Sequence, residues 1–272
     1  GRLWRADLAA ADPDDWHLTL FYPDPDPFSD DPTMPYLTAE PVENPIGLAI
    51  DEDGKLVVLF GTGNVDDLPS MGQNYLFSLT EEYTWDSTNA MYLGKARFNW
   101  QINFEQGEKL LGQPIIFDEV AYFTTFIPYT DDEDYCVIGE GRIWGVHYNS
   151  VDPNLDDMEL VGWDVSTEPD PSDDFAMLDR DGLEGGEKDM YQSYDNTLIS
   201  GLTIIQRPSC LEIDVMSGVD FGGGQNEVYE LVAQVSGPGG TRQGNQQTPT
   251  ITMRIPAPSL KSYADSWGSV IE

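Results

Sequence analysis

The sequence predicts an all-β chain, a modified β-propeller built of antiparallel blades with long acidic loops, with residues 1–256 forming the propeller domain or the C-terminal part of one ahead of a C-terminal tail at 257–272. Three observations predict it. Short runs rich in β-branched and aromatic residues alternate with turns rich in Asp, Gly and Pro, the pattern of antiparallel strands. Two stretches, 44–79 and 107–148, repeat one order of hairpin, acidic loop and further strand, which is most of a four-stranded blade. Helix is weakly supported anywhere in the first half of the chain.

Taken in order, GRLWRADL at 1–8 reads as a strand, residues 12–15 as a turn and WHLTLFY at 16–22 as a second strand. The Asp- and Pro-dense loop at 23–35 supports no regular element. PIGLAI at 45–50 and LVVLFGTG at 56–63 flank the turn DEDGK. Its Asp53-Gly54 pair is a strong hairpin signal, so Asp51, Asp53 and Gly54 are read as structural. An acidic loop and NYLFSL follow, and residues 90–104 make the outer strand of that blade.

The second blade starts with a strand at 110–116, turns at Phe117-Asp118-Glu119 and returns at 120–127; a loop at 128–134 leads to a third strand at 141–148. Aligning Phe60 of FGTG with Phe123 of FTTF gives a repeat of 63 residues. That is longer than the roughly 40–50 of common propeller repeats, and inserted loops account for the excess. Beyond it, strands are expected at 158–165, 198–208, 227–235 and 248–255, with 210–215 pairing onto 198–208. Residues 166–188 and 237–247 read as links. Trp4, Phe60, Phe123, Phe126 and Trp144 are the expected core aromatics.

Charge narrows the partners. Forty-nine acidic residues against 13 basic give a net charge of −36. Nucleic acid and anionic membranes are disfavoured, because both need clustered Lys and Arg. No run approaches the roughly 20 apolar residues of a membrane span, so no insertion is expected. Two readings of the acidity stand together: a heavily solvated surface, and oxygen-rich loops that suit calcium. The chain opens at Gly1 without a leader pattern and reads as a processed product or a fragment.

Cys136 and Cys210 have no neighbouring Cys or His at zinc-ligand spacing. They are read as a disulfide, which would place the chain in an oxidising compartment, against two unpaired thiols. His17 and His147 are the two imidazoles available, each within a strand pattern beside aromatics, and packing is their simpler role. Neither a catalytic triad nor a carboxylate pair is recognisable from spacing alone. The chain is read as non-enzymatic.

PIGLAIDEDGKLVVLFGTGN with NYLFSL, then GEKLLGQPIIFDEVAYFTTFIP with a Cys before an aromatic strand, then LISGLTIIQRPSC, together with the opening GRLWRADL, resemble the C-terminal propeller of PilY-type type IV pilus tip adhesins over residues 1–210. The resemblance implies an extracellular protein of the cell surface and pilus tip. It would act with minor and major pilins in pilus assembly and bind a host or abiotic surface ligand. The resemblance also implies calcium in an EF-hand-like D-x-[DN]-x-D loop. Asp152, Asn154 and Asp156, with the carbonyl of Met158, match the first four ligand positions. Asp157 stands where such a loop needs Gly, and Trp163 where it needs a bidentate Glu, so a solvated acidic turn is the alternative. Asp179-x-Asp181-Gly182-x-Glu184 and 131–134 are rival sites. The 272 residues depart from the family's pattern in showing no von Willebrand-like region and in holding about four blades at this spacing, which is read as further blades preceding Gly1 or as closure achieved differently. Two other readings stay open: a carbohydrate-binding or carbohydrate-cleaving propeller, and a structural filament subunit whose edges pair with neighbours.

Overall fold

The computed structural model describes residues 3–8, 11–22, 41–86, 91–129, 138–149, 162–164, 178–179, 188–207, 228–236, 242–243, 246–247 and 250–255. The cysteines, the Asp152–Met158 loop, the 131–134 loop, Asp181 to Glu184, the 210–215 strand and the 257–272 tail lie outside them. Among the described residues the chain is all-β, and its one helical element is a 3-10 turn at Pro13–Asp15, capped by Asp12 through Asp14 N–H at 3.0 Å.

In chain order the strands are β1 (Leu3–Asp7), β2 (His17–Tyr22), β3 (Gly47–Ile50), β4 (Leu56–Gly61), β5 (Tyr75–Asp86) and β6 (Met91–Asn103). Next come β7 (Lys109–Phe117), β8 (Val120–Pro128), β9 (Gly139–His147) and β10 (Gly162–Asp164). Two short strands, β11 (Leu178–Asp179) and β12 (Lys188–Asp189), precede β13 (Tyr191–Asp195), β14 (Leu198–Arg207) and β15 (Val228–Ser236). The last are β16 (Arg242–Gln243), β17 (Gln246–Gln247) and β18 (Thr250–Ile255). β1 and β2 form a hairpin; β3-β4-β5-β6 is an antiparallel meander, with β10 added parallel to β6; β7-β8-β9-β13 is a second meander; β14-β15-β18 is a third.

Each layer buries an apolar face against the next. The hairpin meets the first sheet through Phe21 and Tyr22 over Val58, Phe60, Phe77 and Leu79. The first sheet meets the second through Val57, Leu59, Leu76, Trp100 and Ile102 against Leu110, Phe123, Trp144 and Val146. Val120, Tyr122 and Ile143 on the opposite face of the second sheet meet Ile199, Leu231 and Ile251 of the third. Covered on both sides, β4 and β8 are apolar at consecutive positions, as strands buried on two faces must be. At roughly 25 cal/mol per Å² of apolar surface removed from water, these three interfaces dominate the favourable side of folding.

The 63-residue repeat is visible in side-chain detail. Phe60 and Phe123 each lie on the second strand of a sheet and face the preceding layer. Phe60 stacks on its cross-strand partner Phe77 at 4.9 Å and 15°, and Phe123 on Trp144 at 5.5 Å and 12°. The first strands of successive sheets approach one another. Gln113 on β7 donates to the Ile46 carbonyl at 2.9 Å, and Asn44 both donates to Leu110 O and accepts from Gly112 N. Gly112 and Gly201 carry the register breaks of β7 and β14 with φ of +84° and +76°, and a Cβ on the first would lie 3.8 Å from the second's nitrogen. A left-handed glycine thus sits at the irregularity of each strand, where the two backbones come close.

Three expectations need correction. Trp4 is 54% exposed, because it pairs with Leu20 on the outward face of a two-stranded layer. Phe60, Phe123, Phe126 and Trp144 are buried as expected. Residues 191–195, YQSYD, form the outer strand of the second sheet, unread in the sequence because only its two tyrosines pack inward, one on each face, among polar residues. The links are not free of strand either: 166–188 holds β11 and the start of its partner β12, and 237–247 holds the short pair β16–β17.

Candidate functional site

The β3–β4 turn, the β7–β8 turn and the end of β9 meet at one end of the interface between the first two sheets. Asp51 shapes the first of these turns, accepting from Asp53 N at 3.0 Å and Lys55 N at 2.7 Å, while Gly54 takes φ +76°. The β7–β8 turn has only two residues between the paired Phe117 and Val120, and both Asp118 (φ 47°) and Glu119 (φ 66°) are left-handed. Such a turn suits the strand twist, but it favours Asn-Gly, and side chains there carry strain. Glu119 O accepts from Tyr148 N at 3.0 Å, which ties the turn to β9.

These segments enclose a cleft of about 360 Å³ lined by Asp51, Glu52, Asp53, Glu119, His147, Tyr148 and Asn149. The His147 imidazole stacks on the Tyr148 ring at 5.6 Å and 16°, and its Nε2 stands 3.8 Å from Glu119 Oε2. Trp100 Nε1 donates to His147 O at 3.0 Å and Ser78 Oγ to Tyr148 O at 2.5 Å, so the first sheet holds the backbone of both residues. Burial, then Asp51, Glu119 and Glu52, push the Tyr148 phenol up to about 12. The four carboxylates give the cleft a negative potential, to which a cationic group is the natural complement.

A second cluster is buried. Arg142 on β9 donates through Nε to Glu140 at 2.7 Å, through Nη1 to Glu108 at 3.1 Å and through Nη2 to Glu105 at 2.7 Å, and stands 4.4 Å over the Tyr191 ring. Glu108 also accepts from the Thr125 hydroxyl and from Glu105 N. Burial pushes its carboxyl up against the pull of Arg142. Serine and arginine hydrogen bonds from Ser193 and Arg142 hold Glu140 below the usual range despite its partial burial. Beside this cluster Lys109 is buried, and its ammonium donates to Ser70 O and Gly107 O. With every Arg142 nitrogen engaged, the cluster anchors the 105–108 turn to β8, β9 and β13.

Of the site residues expected from sequence, Asp152, Asn154, Asp156, Met158, Cys136 and Cys210 all lie outside the described residues. Among the described residues no group of three His, Cys, Asp or Glu side chains could hold a metal ion. His17 is exposed at the start of β2, and His147 is the histidine that reaches a cleft. The sequence signals for this cleft were two acidic hairpin turns in repeated positions, DEDG and FDEV, which were read as turns alone. No helix among the described residues is long and apolar enough to cross a membrane.

No family model, no curated protein and no solved structure matches the chain.

Proposed function

We propose that this chain is a β-propeller segment acting as an extracellular, non-enzymatic pilus-tip adhesin and assembly factor, with calcium held by Asp152, Asn154, Asp156 and the Met158 carbonyl. The observation that carries the reading is the serial repetition of meander sheets. Successive sheets stack face to face, their first strands approach one another, and the Phe60–Phe77 and Phe123–Trp144 stacks recur at equivalent positions. Repeated radial sheets are the propeller's way of limiting exposed edges. Turns gathered at one end of the stack suit recognition, as loops on a rigid scaffold commonly do.

The decisive experiment immobilises the purified chain and passes minor and major pilins over it. Saturable capture by at least one pilin supports the reading. Absence of capture at concentrations of about 100 μM, a Kd that corresponds to roughly −5.5 kcal/mol, sinks the pilus assignment. Calorimetry with calcium tests the loop separately. One ion is expected to bind the unaltered chain, and Asp152→Ala and Asp156→Ala should each abolish the heat. Binding indifferent to both substitutions removes calcium from that loop.

A further inference from the structure

We propose that Ile46, Leu48 and Ile50 form a docking strip for an extended β-segment of a partner polypeptide, apolar on one face and flanked by lysine or arginine. The two faces of the first sheet are unequally covered. Toward the second sheet, Gly47 is buried and Ala49 packs into the shared core. Toward the hairpin, Phe21 and Tyr22 cover β4 and β5, while Leu48 and Ile50 of β3 and Ile46 just before it are left 55%, 59% and 36% exposed. Leu48 pairs with Val58 and Ile50 with Leu56, both part of the cluster beneath the hairpin. The strip is therefore the uncovered continuation of an apolar interface already formed inside the molecule.

The layer above it is too narrow. Among the described residues a two-stranded hairpin faces a four-stranded meander, and at about 4.8 Å per strand roughly 10 Å of sheet width has no described layer facing it. β1 and β2 pair only with each other among the described residues, which leave the hairpin layer an edge to which a strand can add. Alternating apolar side chains on such a strand would cover the strip while its backbone extends the hairpin.

Charge selects the occupant. The strip lies between Glu43 and the Asp51-Glu52-Asp53 turn on a chain of net charge −36. A second copy would bring the same charge to the same rim, and an anionic lipid surface would be repelled likewise; a basic-flanked segment is attracted. The inference stands on packing and charge and does not depend on the pilus reading.

The probe is a synthetic hairpin peptide of about 20 residues, with Val and Ile alternating with Thr, an Asn-Gly turn and lysines at both ends. Its binding is followed by fluorescence anisotropy. Saturable binding is expected, about tenfold or more weaker for Leu48→Glu with Ile50→Glu, weaker for Glu52→Lys with Asp53→Lys, and weakened by salt. Both strip residues are exposed, so the variants should keep the melting temperature of the parent. Amide exchange should slow at 46–50 when the peptide is added to the unaltered chain, a readout that needs no variant. The proposal is overturned by absence of binding, by equal binding of a glutamate-flanked peptide, by unchanged exchange at 46–50, or by sedimentation showing a dimer that Leu48→Glu dissociates.

Discussion

Arg142 is where one side chain holds most. Its guanidinium is buried with three carboxylates and a tyrosine ring around it, and Glu108 beneath it is fully buried. Arg142→Met removes the cation and leaves the Glu108 carboxylate uncompensated. The expected loss is about 3–5 kcal/mol in urea unfolding, whereas Glu108→Gln with Arg142→Met together should cost less than the sum of the two. The β7–β8 turn allows a gain in the opposite direction. Replacing Asp118-Glu119 by Asn-Gly relieves two left-handed non-glycine residues and should stabilise by about 1 kcal/mol. Tyr148 supplies a pH test. Its folded value of about 12 lies above the ordinary phenol's, so the neutral form is favoured in the fold. Its contribution is fully present below about pH 10 and is lost as pH rises toward 12. Tyr148→Phe should remove up to one proton from the pH dependence of alkaline unfolding, read from the slope of stability against pH.

At the scale of elements, the sequence carried the strands that are apolar at consecutive positions and missed some that are not. LVVLFG and VAYFTTF are legible because two layers press on them, which forces apolar residues into consecutive positions. YQSYD at 191–195 sends Tyr191 into the core shared with the first sheet and Tyr194 into the core shared with the third, but Gln192, Ser193 and Asp195 between and beside them make it look like a link. Trp4 was misplaced for a related reason: a large aromatic marks a core only if a layer faces it. The cleft was invisible because it joins turns some 70 and 95 residues apart in the chain from Asp51, a proximity fixed by sheet stacking and by no local pattern. Tight stacking is itself testable. A Cβ on Gly61 would meet Leu110 Cδ2 at 2.6 Å and Cβ at 2.9 Å. The second of these atoms cannot swing away. Gly61→Ala should therefore destabilise by about 1–3 kcal/mol, while Gly54→Ala, where a Cβ meets nothing within 4 Å, should lose only the cost of its positive φ.

Across the whole molecule the governing quantity is the net charge of −36. The described ion pairs neutralise a few carboxylates around Arg5, Arg97 and Arg142, and among the described residues the β3–β4 and β7–β8 turns bring four more together at one cleft. Folding brings like charges together, so self-repulsion is stronger in the compact state than in the extended chain. Screening must act on this difference. Raising ionic strength from 0.01 M to 0.15 M shortens the Debye length from about 30 Å to about 8 Å, which removes most repulsion between turns on different sheets but little within one turn. Melting temperature should rise over that range, by roughly 2–4 °C for each kcal/mol of repulsion relieved in a chain of this size. Sodium and potassium chloride should act alike, since the effect is screening. Calcium at matched ionic strength separates the two readings of the acidity: an additional rise lost in Asp152→Ala marks a bound ion, and an equal rise marks screening alone. A melting temperature indifferent to salt would mean that the carboxylates repel one another as strongly in the unfolded chain, and the stacked sheets would then carry no electrostatic load.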